Sequence, residues 1–396
     1  MQIAVQNGDT YWRFSVIFGV PVQLIIDSNP AIAPNALQAG QVVQIPGYEW
    51  RRHTVVAGDS LWRIASANGI SVELLLRSNP GAASGNLVIG AVLLVPQKIT
   101  SRIINADHPY TYAALLEDYN ALAALYPFLR SSTMGKSVMG KDIPELRVGN
   151  GSRIVHFNGS IHANEWITTC ALMLFLNDYL LALSSGADIR ETPTYPLYLE
   201  TTLSLVPMVN PDGVNLVIDG APESEPYRSS VLAINGGNVS FGGWKANIAG
   251  VDLNKQFPAL WERDAVMGPQ EPSPRDYSGT APLTEPEVQG LAALTRRSDF
   301  AMVLAFHTQG EVIYWGFQGL EPPESAILAA RFAAVSGYEA IQFVDSTAGY
   351  KDWFIQDWRR PGFTIELGSG INPLPLSQLP DIYDRSLGIM LAALQG

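Results

Sequence analysis

The sequence predicts an α/β domain built on a mixed, mostly buried sheet, preceded by two copies of a small α+β module. Two observations carry this. Residues 3–46 align without a gap onto residues 53–96, a register that chance does not produce. From Thr111 onward, strand-like runs alternate with helical ones, the pattern of a sheet layered with helices. A length of 396 residues, 47% of them hydrophobic, suffices for two or three domains and a large core.

In the repeat, Gly8-Asp9 matches Gly58-Asp59, Trp12-Arg13 matches Trp62-Arg63, and Ser28-Asn29-Pro30 matches Ser78-Asn79-Pro80. Each copy reads strand, helix, helix, strand (βααβ). In the second, 54–56 is the first strand and Ser60 the cap of a helix that begins at Leu61. Residues 71–77 form the next helix, ended by Asn79-Pro80, and 91–95 return as a strand. So small a unit has a marginal core, and Trp12 and Trp62 are expected to fill it.

The Gly-Asp-(Ser/Thr)-x-Trp start, the Ser-Asn-Pro middle and the Gly-x-x-(Leu/Val)-x-(Ile/Val)-Pro end resemble LysM modules. That resemblance implies binding of N-acetylglucosamine (GlcNAc)-containing glycan, chiefly peptidoglycan and chitin. One groove would be lined by Gly8, Asp9, Thr10, Asn29, Pro30, Ala31 and Ile32. The other would be lined by Gly58, Asp59, Ser60, Asn79, Pro80, Gly81 and Ala82. Arg51-Arg52 joins the copies with almost no slack, so the two should pack together. The expected boundaries are 1–47 and 51–97 for the modules, 98–110 for a linker and 111–396 for the catalytic domain.

The catalytic region opens with a helix over 111–125 that places apolar residues on one face. Strands are expected at 145–148, 153–157, 201–208, 300–307 and 362–367, and a long helix at 166–183. Residues 187–198 and 217–249, rich in Pro, Gly and Ser, read as loops that build a cleft.

The formal net charge of -12 argues against a nucleic-acid partner. The single cysteine, Cys170, lies in an apolar helical pattern and reads as a buried hydrophobe. The most apolar run, 168–183, is interrupted by Asn177-Asp178 and does not read as a membrane span. No signal peptide is readable, so synthesis in the cytoplasm is expected, with action at the cell wall or on spore peptidoglycan.

The chemistry gathers at a strand-to-helix junction. His162 and Glu165 stand three residues apart, on one face of a helical turn. An imidazole and a carboxylate so placed are two ligands of a zinc site. His307 ends the apolar run from Phe300 and completes a two-His, one-carboxylate set with a position left for water. Glu366, in the apolar run Phe363-Thr364-Ile365-Glu366-Leu367, needs a partner, and a water activated by a metal suits it as general base.

Together with Asn210-Pro211-Asp212-Gly213 and Gly250-Val251-Asp252-Leu253-Asn254, these residues resemble the zinc carboxypeptidase A family. The resemblance implies a mixed eight-stranded sheet flanked by helices, with one zinc held by His162, Glu165 and His307. It implies Glu366 as base, Asp252 as the carboxylate that orients His162, and Asn254 as a substrate contact. Lys255 stands where the family has an arginine for the substrate carboxylate. Lys245 is the candidate for the residue that polarises the scissile carbonyl, and Lys351 lies at the base of the specificity pocket. The family's capping tyrosine has no match: Val344 falls in its register and Tyr350 nearby. Thr308, Gln309 and Glu311 replace the residues that usually follow the second histidine, and Glu311 is a candidate for a substrate ammonium.

Bacterial members that join LysM modules to this domain resemble γ-D-glutamyl-diamino acid peptidases. The expected reaction is hydrolysis of the γ-D-Glu–meso-diaminopimelate, or L-Lys, bond of peptidoglycan stem peptides, with Lys255 and Lys351 receiving carboxylates. The rival readings are a wall-tethered general carboxypeptidase, a non-catalytic peptidoglycan-binding protein, and an amidase or deacylase on the same fold.

Overall fold

The computed structural model describes residues 1–82 and 87–396. The chain divides into two compact units. The first comprises Met1–Ile103, Tyr119–Leu129 and Asn177–Tyr195, and the second Ile104–Asp118, Arg130–Leu176 and Pro196–Gly396.

The first unit holds the two modules. In one, strands Gln2–Ala4 and Val42–Gln44 pair antiparallel around helices Tyr11–Phe18 and Val22–Asp27. In the other, Tyr48–Thr54 and Val92–Lys98 pair around Leu61–Ala67 and Val72–Ser78. Thr10, Ser60 and Ser71 cap their helices, each accepting the N–H of the residue three further on. The first strand of the second module runs over Tyr48–Thr54 rather than 54–56; exposed Glu49, Arg51 and Arg52 mask it in the sequence.

Trp12 and Trp62 correct the expectation of core tryptophans: they are 70% and 68% exposed. The buried stripe of the first helix runs Tyr11, Phe14 and Phe18, so the adjacent Trp12 falls off it. In the second helix Ile64 and Ala65 are inside, and Trp62 again points out.

The modules are joined by charge. Arg77 of the second places its guanidinium on Asp9 of the first (Nη1–Oδ1 3.0 Å), on the Ala4 carbonyl and over the Phe14 ring. Both side chains are almost wholly shielded from water, at 4% and 0% exposure. Arg13 reaches back to Glu73 at 2.9 Å.

The second unit is organised by an eight-stranded sheet. Its strands are β1 (Arg130–Lys136), β2 (Asp142–Val148), β3 (Arg153–Asn158), β4 (Thr201–Val206), β5 (Met302–His307), β6 (Val312–Tyr314), β7 (Glu339–Ile341) and β8 (Gly362–Glu366). They lie in the order β7-β6-β8-β5-β3-β4-β2-β1. The centre, β8-β5-β3-β4, is parallel, and β2, β1 and β6 run antiparallel to their inner neighbours. β5 is apolar up to its final His307, β4 alternates leucines with Thr202 and Ser204, and all six residues of each are buried. From β3 the chain moves to β4 on one side, and β5 lies on the other. This is the switch point at which open parallel sheets bind ligands beyond their carboxyl ends.

Two stretches expected as loops carry short helices, Thr194–Glu200 and Tyr227–Ile234, with prolines near their starts that disguise them. Helix Ile167–Ser185 has the length and apolar character of a membrane span. It is nevertheless buried over 89% of its most apolar window, and Cys170 is buried within it.

Candidate metal centre and cleft

Three chain segments converge at the carboxyl ends of β3, β5 and β8. After β3, a short 3₁₀ turn, Ala163–Glu165, carries His162 and Glu165. His307 ends β5 and Glu366 ends β8, paired in register on neighbouring parallel strands. The turn after β3 is pinned from behind. Asn210 caps helix Pro211–Asp219 by accepting the Gly213 N–H, and its side-chain amide donates to the Ile161 and Ala246 carbonyls. A Cβ at position 213 would meet the Ala246 carbonyl oxygen at 2.7 Å, so only glycine fits there. That explains the Asn-Pro-Asp-Gly run in physical terms.

His162 Nδ1 stands 2.9 Å from Glu165 Oε1, His307 Nδ1 3.0 Å from Glu165 Oε2, and the two Nδ1 atoms 3.2 Å apart. Donors at about 2.0–2.1 Å from a tetrahedral zinc lie roughly 3.3 Å from one another. The donor set therefore fits zinc in type and in spacing, and all three residues are buried. The far nitrogen of His162, Nε2, meets Asp252 Oδ1 at 3.2 Å. With its proton given to Asp252, the ring turns an unprotonated Nδ1 toward the other donors, the ligating tautomer.

Burial alone would raise the Glu165 carboxyl. His162 first, and then His307, override it and hold it well below the carboxylate range. Burial opposes protonation of His162, but Glu165 and Asp252 raise it to about 9. The Thr308 N–H also donates to Glu165 Oε2, and Asn372 Nδ2 lies 3.4 Å from Oε1.

Glu366 faces a cleft of about 460 Å³ lined also by Asn164, Lys245, Arg275, Thr308, Gln309 and Asn372. Burial, then the neighbouring Glu165 carboxylate, push the Glu366 carboxyl up, while His162 and Lys245 pull against them. Lys245 Nζ lies 3.8 Å from Glu165 Oε1. Burial would lower its ammonium, but Glu165, Asp252 and Glu366 raise it on balance.

The other expected contacts fall elsewhere. Lys255 is held by Asp264 at 3.1 Å. Lys351 is buried against Asp352 and donates to the Gly316 carbonyl at 2.7 Å, so its charge is spent inside the fold. Neither lysine is among the residues lining the cleft. Glu311 pairs with Arg385 at 3.2 Å rather than facing the cleft. Asn254 accepts the Tyr350 N–H. Tyr350 is buried with its hydroxyl on Thr295, and Val344 is exposed, so neither caps the site.

In the modules, Asn29 bridges the Ile25 carbonyl to both backbone groups of Gln44, and Asn79 does the same for Leu75 and Leu94. Asp59 accepts the Val56 N–H and meets His53, while Asp9 accepts the Gln6 N–H and Arg77. These side chains hold the fold. Thr10 and Ser60 cap helices, and Gly8 and Gly58 take the positive φ of the turn. Pro30, Ala31, Pro80 and Gly81 are exposed, with Ile32 and Ala82 half-buried beside them.

Sequence reasoning missed Arg275, Asn164 and Asn372. Arg275 and Asn372 sit singly in irregular segments, whereas Asn164 lies between His162 and Glu165 in the 3₁₀ turn.

The zinc carboxypeptidase family profile matches residues 115–385, and the LysM domain matches residues 3–46 and 53–96. Over 394 residues the chain is 60% identical to γ-D-glutamyl-L-diamino acid endopeptidase 1 of Lysinibacillus sphaericus, covering 100% of both chains. It is 42% identical over 301 residues to the uncharacterized protein YqgT of Bacillus subtilis, 75% of this chain and 80% of that one. Among solved structures, bovine thrombin-activatable fibrinolysis inhibitor superposes with a TM-score of 0.57 at 18% identity, over 73% of this chain and 97% of that one. Carboxypeptidase A of Helicoverpa armigera gives 0.56 at 18%, over 82% and 80%. These two likenesses concern the fold, which is carboxypeptidase-like.

Proposed function

This chain belongs to the zinc carboxypeptidase family and is a zinc metallopeptidase, and on that premise we propose that it hydrolyses the γ-D-Glu–meso-diaminopimelate, or L-Lys, bond of peptidoglycan stem peptides. The observation that carries this reading is the match, module for module over both whole chains, to a γ-D-glutamyl-L-diamino acid endopeptidase. The two cleft cations, Lys245 and Arg275, agree with it, because the γ-D-glutamyl and diamino acid residues on either side of the scissile amide carry carboxylates.

His162, Glu165 and His307 would hold the zinc. When bound, the metal lowers the pKa of a water and polarises a carbonyl. Glu366 takes a proton from the attacking water and returns it to the departing amine as the carbon–nitrogen bond breaks. Lys245, on the cleft wall beside Glu165, supplies positive charge for the oxygen that becomes negative. Asp252 keeps His162 in its ligating tautomer. The LysM modules hold the enzyme on GlcNAc-containing glycan, which raises the local concentration of stem peptide. The place of action is then the cell wall or spore peptidoglycan.

Mass spectrometry of L-Ala-γ-D-Glu-meso-diaminopimelate with the enzyme tests this. Release of free diaminopimelate, abolished by a chelator, is expected. An intact tripeptide beside ready trimming of C-terminal Leu or Phe would replace the reading with that of a general carboxypeptidase.

A further inference from the structure

With Lys255 and Lys351 committed elsewhere, the cleft still carries two cations, Lys245 and Arg275. Lys245 lies against Glu165, whereas Arg275 lies further out and is 58% exposed. Its Nε meets Asp276, the next residue, at 3.2 Å, and its two terminal nitrogens have no partner among the described residues. An exposed pair of this kind holds weakly and yields readily to a better carboxylate.

The backbone around Arg275 is fixed to the metal site on both sides. The Pro274 carbonyl accepts the N–H of Lys245 at 2.8 Å and of Ala246 at 3.0 Å. The Asp276 N–H donates to Asp252 Oδ2, and the Tyr277 carbonyl accepts the Asp252 N–H. The Lys245 carbonyl in turn accepts the Ala163 N–H, next to His162. A ring of hydrogen bonds therefore runs from the His162 turn through Lys245, Pro274 and Asp276 to Asp252, and back to His162. It fixes the backbone from which the Arg275 side chain reaches the cleft, beside the candidate metal site.

We propose that Arg275 is the residue that receives a substrate carboxylate next to the scissile amide, by a forked pair of hydrogen bonds. This rests on the stem-peptide reading above. The guanidinium plane matches a carboxylate as an ammonium does not. The carboxylate comes either from the α-position of γ-D-glutamate or from the leaving diamino acid.

The test uses the full-length, zinc-loaded chain with L-Ala-γ-D-Glu-meso-diaminopimelate and two analogues. In one the glutamate α-carboxylate is an amide, and in the other the carboxylate nearest the cleaved nitrogen is. Arg275→Gln should lose roughly 10- to 100-fold in kcat/KM on the free acid, mostly through KM, and Arg275→Lys should recover only part. On one analogue, which identifies the source, wild type and Arg275→Gln should be equal. The same loss on all three substrates, or none on any, overturns the proposal. Calorimetric binding of the three peptides to Glu366→Gln, with and without Arg275→Gln, gives a readout without turnover. If the wild type cleaves none of them, the stem-peptide reading fails. Calorimetry then decides Arg275 alone, and binding that is indifferent to Arg275→Gln, or absent, overturns its role.

Discussion

Glu366 and His307 are register partners on adjacent parallel strands, so the proposed proton acceptor and a candidate metal donor project from one face of the sheet side by side. Their separation is set by main-chain hydrogen bonds and does not depend on a flexible loop. Glu366→Gln should therefore leave the neighbouring donors in place. We expect kcat to fall about 10²- to 10⁴-fold with zinc content unchanged. Tripeptide hydrolysis and metal analysis on the same sample check both halves.

Asp252 touches His162 and the backbone of Asn254 and Asp276, but no other metal donor. Asp252→Asn should weaken zinc about 10- to 100-fold while the metal-saturated enzyme keeps much of its rate. A chelator titration of activity, compared with wild type, separates lost affinity from lost chemistry.

His156 is sealed in the sheet, stacked on Phe300 and bonded through Nδ1 to Ser204 Oγ at 3.1 Å. Burial first of all depresses its imidazole to about 3. Between about pH 6.5 and 3 the unfolded chain takes a proton here that the folded one refuses. Stability should fall by about 1.4 kcal/mol for each unit of acidification in that window. His156→Phe should flatten the acid limb of a denaturation-against-pH curve.

Glu287 behaves oppositely. Burial raises its carboxyl to about 7, although it accepts the Val138 N–H. From about pH 4.5 to 7 the folded chain keeps a proton the unfolded one has lost, so stability declines as pH rises. Glu287→Gln, measured by the same curve, should remove that slope.

Arg77→Ala leaves Asp9 with Arg13 alone, at 3.6 Å, and should cost about 2 kcal/mol in the first unit. The double variant Asp9→Asn with Arg77→Met should recover part of the loss. A double-mutant cycle by thermal unfolding gives the coupling.

His162 and Glu165 stood out in the sequence by their spacing at a strand-to-helix junction, and His307 and Glu366 as polar residues ending or interrupting apolar runs, where burial without purpose is costly. The order of those interruptions sufficed to suggest the fold. The cleft cations were not legible. A sequence shows that Lys351 is charged, not that Asp352 and a carbonyl absorb the charge. Arg275 owes its position to backbone hydrogen bonds of its neighbours, which leave no pattern in side-chain type. The tryptophans misled for a related reason: Trp12 lies one residue from the buried stripe, and a step of one on a helix turns a side chain by about 100°.

Arg77 on Asp9 and Arg13 on Glu73 hold the two modules against each other at one spacing. Tethered modules on a slack linker would sample many separations and give up that freedom at each landing. A locked pair gives up nothing, but it accepts only one distance and one angle. For the glycan role proposed above, it acts as a caliper. A strand lying straight engages both jaws, and a kinked one engages a single jaw. The texture of the wall, as much as its chemistry, would then decide where the blade comes down.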